Sequence, residues 1–284
     1  MAVFYNQANL SYNGGNTNSN IVTGEILESL TVTKTAINPT YSAGDTVTYA
    51  VNILNSGASA VTGLTVTDDL GEYAVGAITV TPLTYVTGTV TYYQNGVLQP
   101  APTVSSTSPL VLTGISVPAG GNTTIIYSAT ANEGAPLAEG STIVNTVTVD
   151  GDSVTAPLTA SATVTVVAEP VLTISKCINP TVVTENSILT YSFTIQNVGN
   201  RAAVATDNLV VTDTFEPVLK NITVTINGVV ATAGTDYNYD ETTGVFTTVG
   251  GVITVPEASF VQDPVTGEWT VTPGTTVIVV TGTV

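Results

Sequence analysis

The sequence predicts an all-β fold of two tandem sandwiches, and three observations carry that expectation. Short segments in which Thr alternates with Val, Ile or Leu recur along the 284 residues, separated by Gly, Asn, Pro and Asp. This is the period-two pattern of half-buried antiparallel strands, and nothing in the chain offers a sustained helical stripe. Charged residues make up 9% of the chain and hydrophobic residues 43%, so hydroxyls must cover much of the surface, a composition that favours strands. The third observation is a repeat. Leu30-Thr31-Val32-Thr33-Lys34-Thr35-Ala36-Ile37-Asn38-Pro39-Thr40 returns as Leu172-Thr173-Ile174-Ser175-Lys176-Cys177-Ile178-Asn179-Pro180-Thr181, which puts Lys34 and Lys176 142 residues apart. Each copy is then a domain of ordinary size with its own core.

The remaining strands can be placed by following the repeat. Thr48-Tyr49 meets Thr190-Tyr191, Asn55 meets Asn197 and Gly57 meets Gly199 at the same spacing. Leu64-Thr65-Val66-Thr67-Asp68 is answered by Leu209-Val210-Val211-Thr212-Asp213 at a spacing of 145, a loop having gained three residues. Val117-Pro118-Ala119-Gly120-Gly121-Asn122-Thr123-Thr124-Ile125-Ile126-Tyr127 is matched to Val271-Thr272-Pro273-Gly274-Thr275-Thr276-Val277-Ile278-Val279. The first copy then continues into Thr142-Ile143-Val144-Asn145-Thr146-Val147-Thr148-Val149, whereas the second reaches Val284 without such a segment. A counterpart lies at the other end, where Phe4-Tyr5-Asn6-Gln7-Ala8-Asn9-Leu10-Ser11-Tyr12 alternates around an Asn in the same way. Asn6 precedes Lys34 by 28 residues and Asn145 precedes Lys176 by 31. The expected organisation is an N-terminal donor-strand arm and linker (1–28), a complete immunoglobulin-like sandwich (29–168), and a second sandwich lacking its last strand (169–284).

Composition narrows the function. Four Lys and Arg against 21 Asp and Glu give a formal charge of −17, which repels nucleic acid and anionic lipid. No apolar run approaches a bilayer span, so membrane insertion is not expected. Histidine is absent, and the single cysteine, Cys177, makes neither an internal disulfide nor a thiolate cluster, so no metal or cofactor is expected. The opening residues lack the basic start and apolar stretch of a secretion signal. Acidic loops at Asp150 and Asp152, and at Asp236, Asp240 and Glu241, lack the regular oxygen spacing of a calcium site and read as solvated. Tyr92, Tyr93, Tyr237 and Tyr239 suit strand positions; an adhesin or surface-layer module would use them as a binding platform.

The scarce lysines carry the most information. Strand parity puts Leu30, Val32, Lys34 and Ala36 on one face, and Leu172, Ile174, Lys176 and Ile178 on another, with Cys177 outside. The same test turns Asp68 inward with Leu64 and Val66, Asp213 with Leu209 and Val211, Asn145 with Ile143 and Val147, and Asn6 with Phe4, Ala8 and Leu10. Lysine, aspartate and asparagine therefore all aim at an interior, where an unpaired charge costs several kcal/mol. Three readings follow: a buried ion pair with a hydrogen-bonded Asn, an enzyme site closed to substrate by the surrounding core, or an internal Lys–Asn isopeptide bond. The last suits these residue types, because desolvation favours the neutral amine and the neutral acid, and a protonated Asp polarises the carboxamide.

The run Thr-Val-Thr-Lys-Thr, then Gly44-Asp45-Thr46-Val47-Thr48-Tyr49 with Asn55 and Gly57, then Leu-Thr-Val-Thr-Asp and an Asn-bearing last strand, resembles the bacterial surface repeat called domain of unknown function eleven. That family in turn is similar to the isopeptide-bonded domains of Gram-positive pilins and adhesins. The resemblance covers 29–168, and 170–284 apart from the missing strand. It implies Lys34 as nucleophile, Asn145 as acyl donor and Asp68 as catalytic acid. In the second copy Lys176 and Asp213 fit their roles and no Asn is supplied, which points to Asn6 of another chain. What it implies overall is a structural, non-enzymatic fibre subunit, a head-to-tail homopolymer at the cell or spore surface. The bare Met-Ala start resembles appendage proteins of clostridial spores.

Overall fold

The structure is a computed structural model that describes residues 2–26, 30–152 and 154–284. It falls into two compact units, Met1–Pro136 with Thr142–Thr165, and Leu137–Ser141 with Val166–Val284. In chain order the N-terminal arm holds β1 (Ala2–Asn6), β2 (Asn9–Tyr12), β3 (Gly15–Asn18) and β4 (Val22–Ile26). The first sandwich begins with β5 (Leu30–Ala36), β6 (Thr40–Tyr41), β7 (Thr46–Asn55), β8 (Val61–Asp68), β9 (Tyr73–Val75), β10 (Ile78–Val80) and β11 (Leu83–Tyr85). It continues with β12 (Thr91–Gln94), β13 (Val97–Gln99), β14 (Thr103–Thr107), β15 (Leu110–Val117), β16 (Asn122–Ala131), β17 (Thr142–Asp150) and β18 (Leu158–Val166). The second contains β19 (Leu172–Asn179), β20 (Ile188–Asn197), β21 (Thr212–Thr214), β22 (Lys220–Ile226), β23 (Val229–Val230), β24 (Tyr237–Tyr239), β25 (Val245–Thr248), β26 (Ser259–Gln262), β27 (Trp269–Thr272) and β28 (Gly274–Thr283).

In the first unit one sheet runs β13-β12-β16-β7-β5, and the other β14-β15-β8-β17-β18-β6. The alternation of β7 sends Val47, Tyr49, Val51 and Ile53 inward, where they are buried together with Ile125 of the same sheet and Leu64, Leu112 and Val147 of the other. Burial of each such side chain contributes about 1.5–3 kcal/mol. The second unit reproduces the first sheet as β19-β20-β28-β22-β23, packed on Tyr191, Phe193, Phe215 and Phe246. Its other sheet is only β21-β25-β24, which corresponds to β8-β15-β14. Among the described residues, nothing in the second unit lies where β17 and β18 lie in the first. β8 extends over Val61–Asp68, between β15 and β17, whereas its counterpart β21 is confined to Thr212–Thr214.

The shared Asn of the repeat closes the same corner in both units. Asn55 Nδ2 donates to the Ser59 and Pro118 carbonyls at 2.8 and 3.1 Å, and its Oδ1 accepts from Gly57 N–H at 2.9 Å. Asn197 donates to Arg201 and Pro256 carbonyls at 2.8 and 3.0 Å and accepts from Gly199 N–H at 2.9 Å. This corrects one alignment: Pro256, rather than Pro273, is the counterpart of Pro118. The inserted β26–β27 hairpin lies between Pro256 and β28 and displaces the sequence match. A second correction concerns the arm. A lone strand is expected from the sequence, but β1 pairs antiparallel with β4, Asn6 opposite Val22, and β2 pairs with β3. Phe4, Tyr5, Leu10 and Tyr12 are all exposed on that hairpin.

Candidate functional site: two lysine and aspartate pairs

The first pair sits between the two sheets of the first unit. Lys34 comes from β5, at the edge of one sheet, and Asp68 from the end of β8 in the other. Lys34 Nζ donates to Asp68 Oδ2 at 2.6 Å, with the two side chains 0% and 2% exposed. The other carboxylate oxygen accepts from Leu70 N–H at 3.0 Å. Asn145 is fully buried on β17, whose register sets Val147 opposite Asp68. Tyr127 on β16 joins the three residues. Its hydroxyl donates to Asp68 Oδ2 and accepts from Asn145 Nδ2 at 3.2 Å. The Asn145 Oδ1 is buried without a hydrogen-bond partner, and so is the Tyr49 hydroxyl. An unpaired buried acceptor costs about 1–3 kcal/mol.

The electrostatics follow from burial. Desolvation pushes the Lys34 ammonium below the usual lysine range, only partly opposed by the attraction and hydrogen bond of Asp68. Its Nζ lies 4.9 Å from the Tyr49 ring centroid, a cation–π contact that returns part of the lost solvation. The Tyr127 hydroxyl is held well above its ordinary value, first by burial and then by the Asp68 charge, so it remains a proton carrier.

The second pair is built from the same positions but left open. Lys176 on β19 donates to Asp213 Oδ2 on β21, and its Nζ stands 4.4 Å from the Tyr191 ring centroid, as Lys34 stands over Tyr49. The side chains here are 40% and 19% exposed. The sequence expectation that Lys176 lies in a core is therefore corrected. It faces inward by parity, but nothing covers it within the described chain. Ile174, on the same face of β19, is 57% exposed, and Leu172, Ile174, Ile195, Leu209 and Val211 line a cleft of about 180 Å³. Cys177 is exposed, as its parity requires. Asn6 lies on the exposed arm hairpin, outside any core.

Sequence reasoning missed Tyr127 and Tyr49. Tyr49 was within reach, because it recurs as Tyr191 in the repeat. Tyr127 was not: the registers Tyr127–Tyr49 and Val280–Tyr191 show that the second unit carries Val280 at that position. Two other candidates take structural roles. Tyr92 and Tyr237 are buried, and Tyr92 OH bonds the Ser116 carbonyl at 2.8 Å, which removes them from any exposed platform. The acidic-loop carboxylates of Asp236 and Asp240 accept turn N–H groups from Thr232 and Thr242, both at 2.7 Å.

No protein-family model matches the chain, and no curated protein does. Among solved structures, the chain is similar to BcpA, the major pilin subunit of Bacillus cereus, at 14% identity over 95% of this chain and 73% of that one, with a TM-score of 0.37. The pilus backbone RrgB from Streptococcus pneumoniae is 15% identical over 86% of this chain and 55% of its own, with a TM-score of 0.36. The N-terminal domain of the Streptococcus gordonii adhesin Sgo0707 is 16% identical over 52% of this chain and 34% of its own, with a TM-score of 0.35.

Proposed function

We propose that the chain is a structural subunit of a bacterial surface fibre that assembles head to tail and seals itself with Lys–Asn isopeptide bonds. One observation carries this reading. The same lysine, aspartate and aromatic arrangement occurs twice, once buried around an asparagine and once half-exposed without one. An exposed arm carries the asparagine that the second site lacks.

In the first unit the chemistry needs no outside reagent. Lys34 Nζ donates to Asp68 Oδ2 across 2.6 Å, and moving that proton to the carboxylate leaves a neutral amine and a neutral acid. A buried site favours that uncharged state. Lys34 Nζ then attacks Asn145 Cγ. The Nζ–Cγ bond forms and the Cγ–Nδ2 bond breaks. Protons pass from Nζ to Nδ2 through Asp68, with Tyr127 bridging Asp68 to the leaving amine, and ammonia departs. Fixed proximity supplies much of the acceleration. The product amide carries no charge, so the desolvation penalty on Lys34 disappears with the bond.

At the joint, Asn6 of one chain meets Lys176 of its neighbour, with Asp213 as the acid. The donating and accepting surfaces differ, so the contact is heterologous and extends as an open filament. Among the described residues β21 pairs with β25 alone, and its other edge is where strand addition would take place. Filaments of the purified wild-type protein should give a ladder of oligomers after boiling in detergent. Lys176→Ala and Asn6→Ala should collapse that ladder to monomer. A wild-type sample that falls wholly to monomer would count against the covalent joint.

A further inference from the structure

Strand donation, on which this inference rests, leaves open what is donated. We infer that it is the whole hairpin of residues 2–26 from a second copy of the chain, taking in the neighbour's second unit the place that β17 and β18 hold in the first. Among the described residues the second unit has no counterpart of β17 and β18, and the arm is two strands already paired.

The equivalence holds across the β1–β4 ladder; beyond Asn6 the arm pairs β2 with β3 in a register shifted by one residue, whereas β17 and β18 pair without a break. In the first unit Asn145 pairs with Ala162 and Ile143 with Val164 across β17 and β18. In the arm Asn6 pairs with Val22 and Phe4 with Gly24. The span from Asn145 to Ala162 is 17 residues, and from Asn6 to Val22 it is 16. Direct partners in an antiparallel pair share a face, so Phe4 and Gly24 occupy together the positions of Ile143 and Val164, both of which are buried. Their volumes trade: the Phe4 ring lies over Gly24, where an added Cβ would come within 2.3 Å of it. One large and one absent side chain replace two of middle size, the kind of exchange a packed core tolerates.

The register at the acceptor follows from the same mapping. Val147 pairs with Asp68 and Val149 with Val66 in the first unit. Ala8 is then set against Asp213 and Leu10 against Val211, one of the residues lining the open cleft. Leu10 is 63% exposed in the arm, and covering it removes that apolar surface from water. The chain also leaves both hairpins alike: ten residues separate Ala162 from Leu172 at the start of β19, and eight separate Val22 from Leu30 at the start of β5. Each completing hairpin is thus followed in sequence, after a short linker, by the first strand of the next sandwich.

A disulfide lock across the hairpin tests this. Tyr5 and Thr23 are direct partners, and their counterparts Val144 and Thr163 are exposed, so a bridge there should leave the docking face free. Tyr5→Cys with Thr23→Cys is placed on a Cys177→Ser, Lys176→Ala background, in which filaments are non-covalent and can be dissolved in denaturant. Refolded with the lock oxidised or reduced, the subunits should grow filaments at the same rate, within about twofold, as seen by electron microscopy. Growth only after reduction would show that β1 must leave β4, which overturns hairpin donation and leaves single-strand donation standing. Failure in both states, with the parent assembling, would also contradict the docking face assigned here. Filaments from a chain lacking residues 2–14 would overturn donation by the arm altogether.

Discussion

The two sandwiches hold the same lysine, aspartate and tyrosine, yet one site is sealed and the other is open. Lys34 and Asp68 are essentially inaccessible, while Lys176 is 40% exposed. The difference comes from two strands, β17 and β18, and not from the pair itself. On the proposed function, burial is what would turn an ordinary ion pair into a reactive one, and the second unit would gain that burial from a partner. On this account assembly and activation are one event: the hairpin that brings Asn6 also covers the exposed Lys176.

The largest effect should come from removing the acid. Asp68→Ala takes away the group that accepts and returns the proton, and should slow bond formation by about 10²–10⁴-fold. Intact mass would show the variant at its own sequence mass, with the ammonia of Asn145 retained, and a mass one ammonia lower than that would refute the role. Asp213→Ala should do the same to the joint without touching the Lys34–Asn145 bond.

Next comes stability. Residues 34 and 145 close a loop of about 110 residues, and a cross-link over that distance restrains the unfolded chain by about 4.7 kcal/mol if it behaves as a disulfide does. Asn145→Ala should therefore lower the melting temperature of the first unit by on the order of 10 °C, a shift that calorimetry resolves. Lys176→Ala should leave that transition where it is.

Tyr127→Phe should act more weakly. It removes one bridging hydroxyl from the first site and makes it more like the second, where Val280 stands. Slowing of about tenfold is expected, equivalent to roughly one buried hydrogen bond. A complete block would mean that the second site, with no such hydroxyl, reacts by another route.

The smallest effect separates burial from pairing. In Asn145→Ala the lysine stays free, and desolvation holds its pKa below the unfolded value of 10.5. The unfolded chain then binds more protons, so the stability of this variant rises with pH between the folded and unfolded lysine values, and the penalty is fully present below them. The rise should end near pH about 10, the ordinary tyrosine value, because buried Tyr49 and Tyr127 have raised pKa values and favour unfolding as the pH climbs further. Urea midpoints across that range would show it, and midpoints that fall from neutral pH onward would contradict it.

Much of this was legible in the residues. Alternation gave the strands, and the Lys34 and Lys176 repeat gave the two sandwiches. Parity aimed Lys34, Asp68 and Asn145 at one core because period two leaves no ambiguity once one face is apolar. Three things were not legible. β4 hides because Gly24 interrupts its alternation, and its room is taken by Phe4 from another strand. The β26–β27 insertion moved the apparent match of Pro118 to Pro273. Tyr127 has no counterpart in the repeat, so nothing distinguished it from any other inward strand residue.

The central claim is that the open site of one chain is completed and sealed by the arm of the next. Protease digestion of purified wild-type filaments, followed by mass spectrometry of the branched peptides, tests it most directly. The account predicts a peptide containing Lys176 joined to one containing Asn6, lighter than their sum by one ammonia, present alongside the internal Lys34–Asn145 branch. A linear Lys176 peptide with a free amine throughout the filament, beside an unmodified Asn6 peptide, would contradict it.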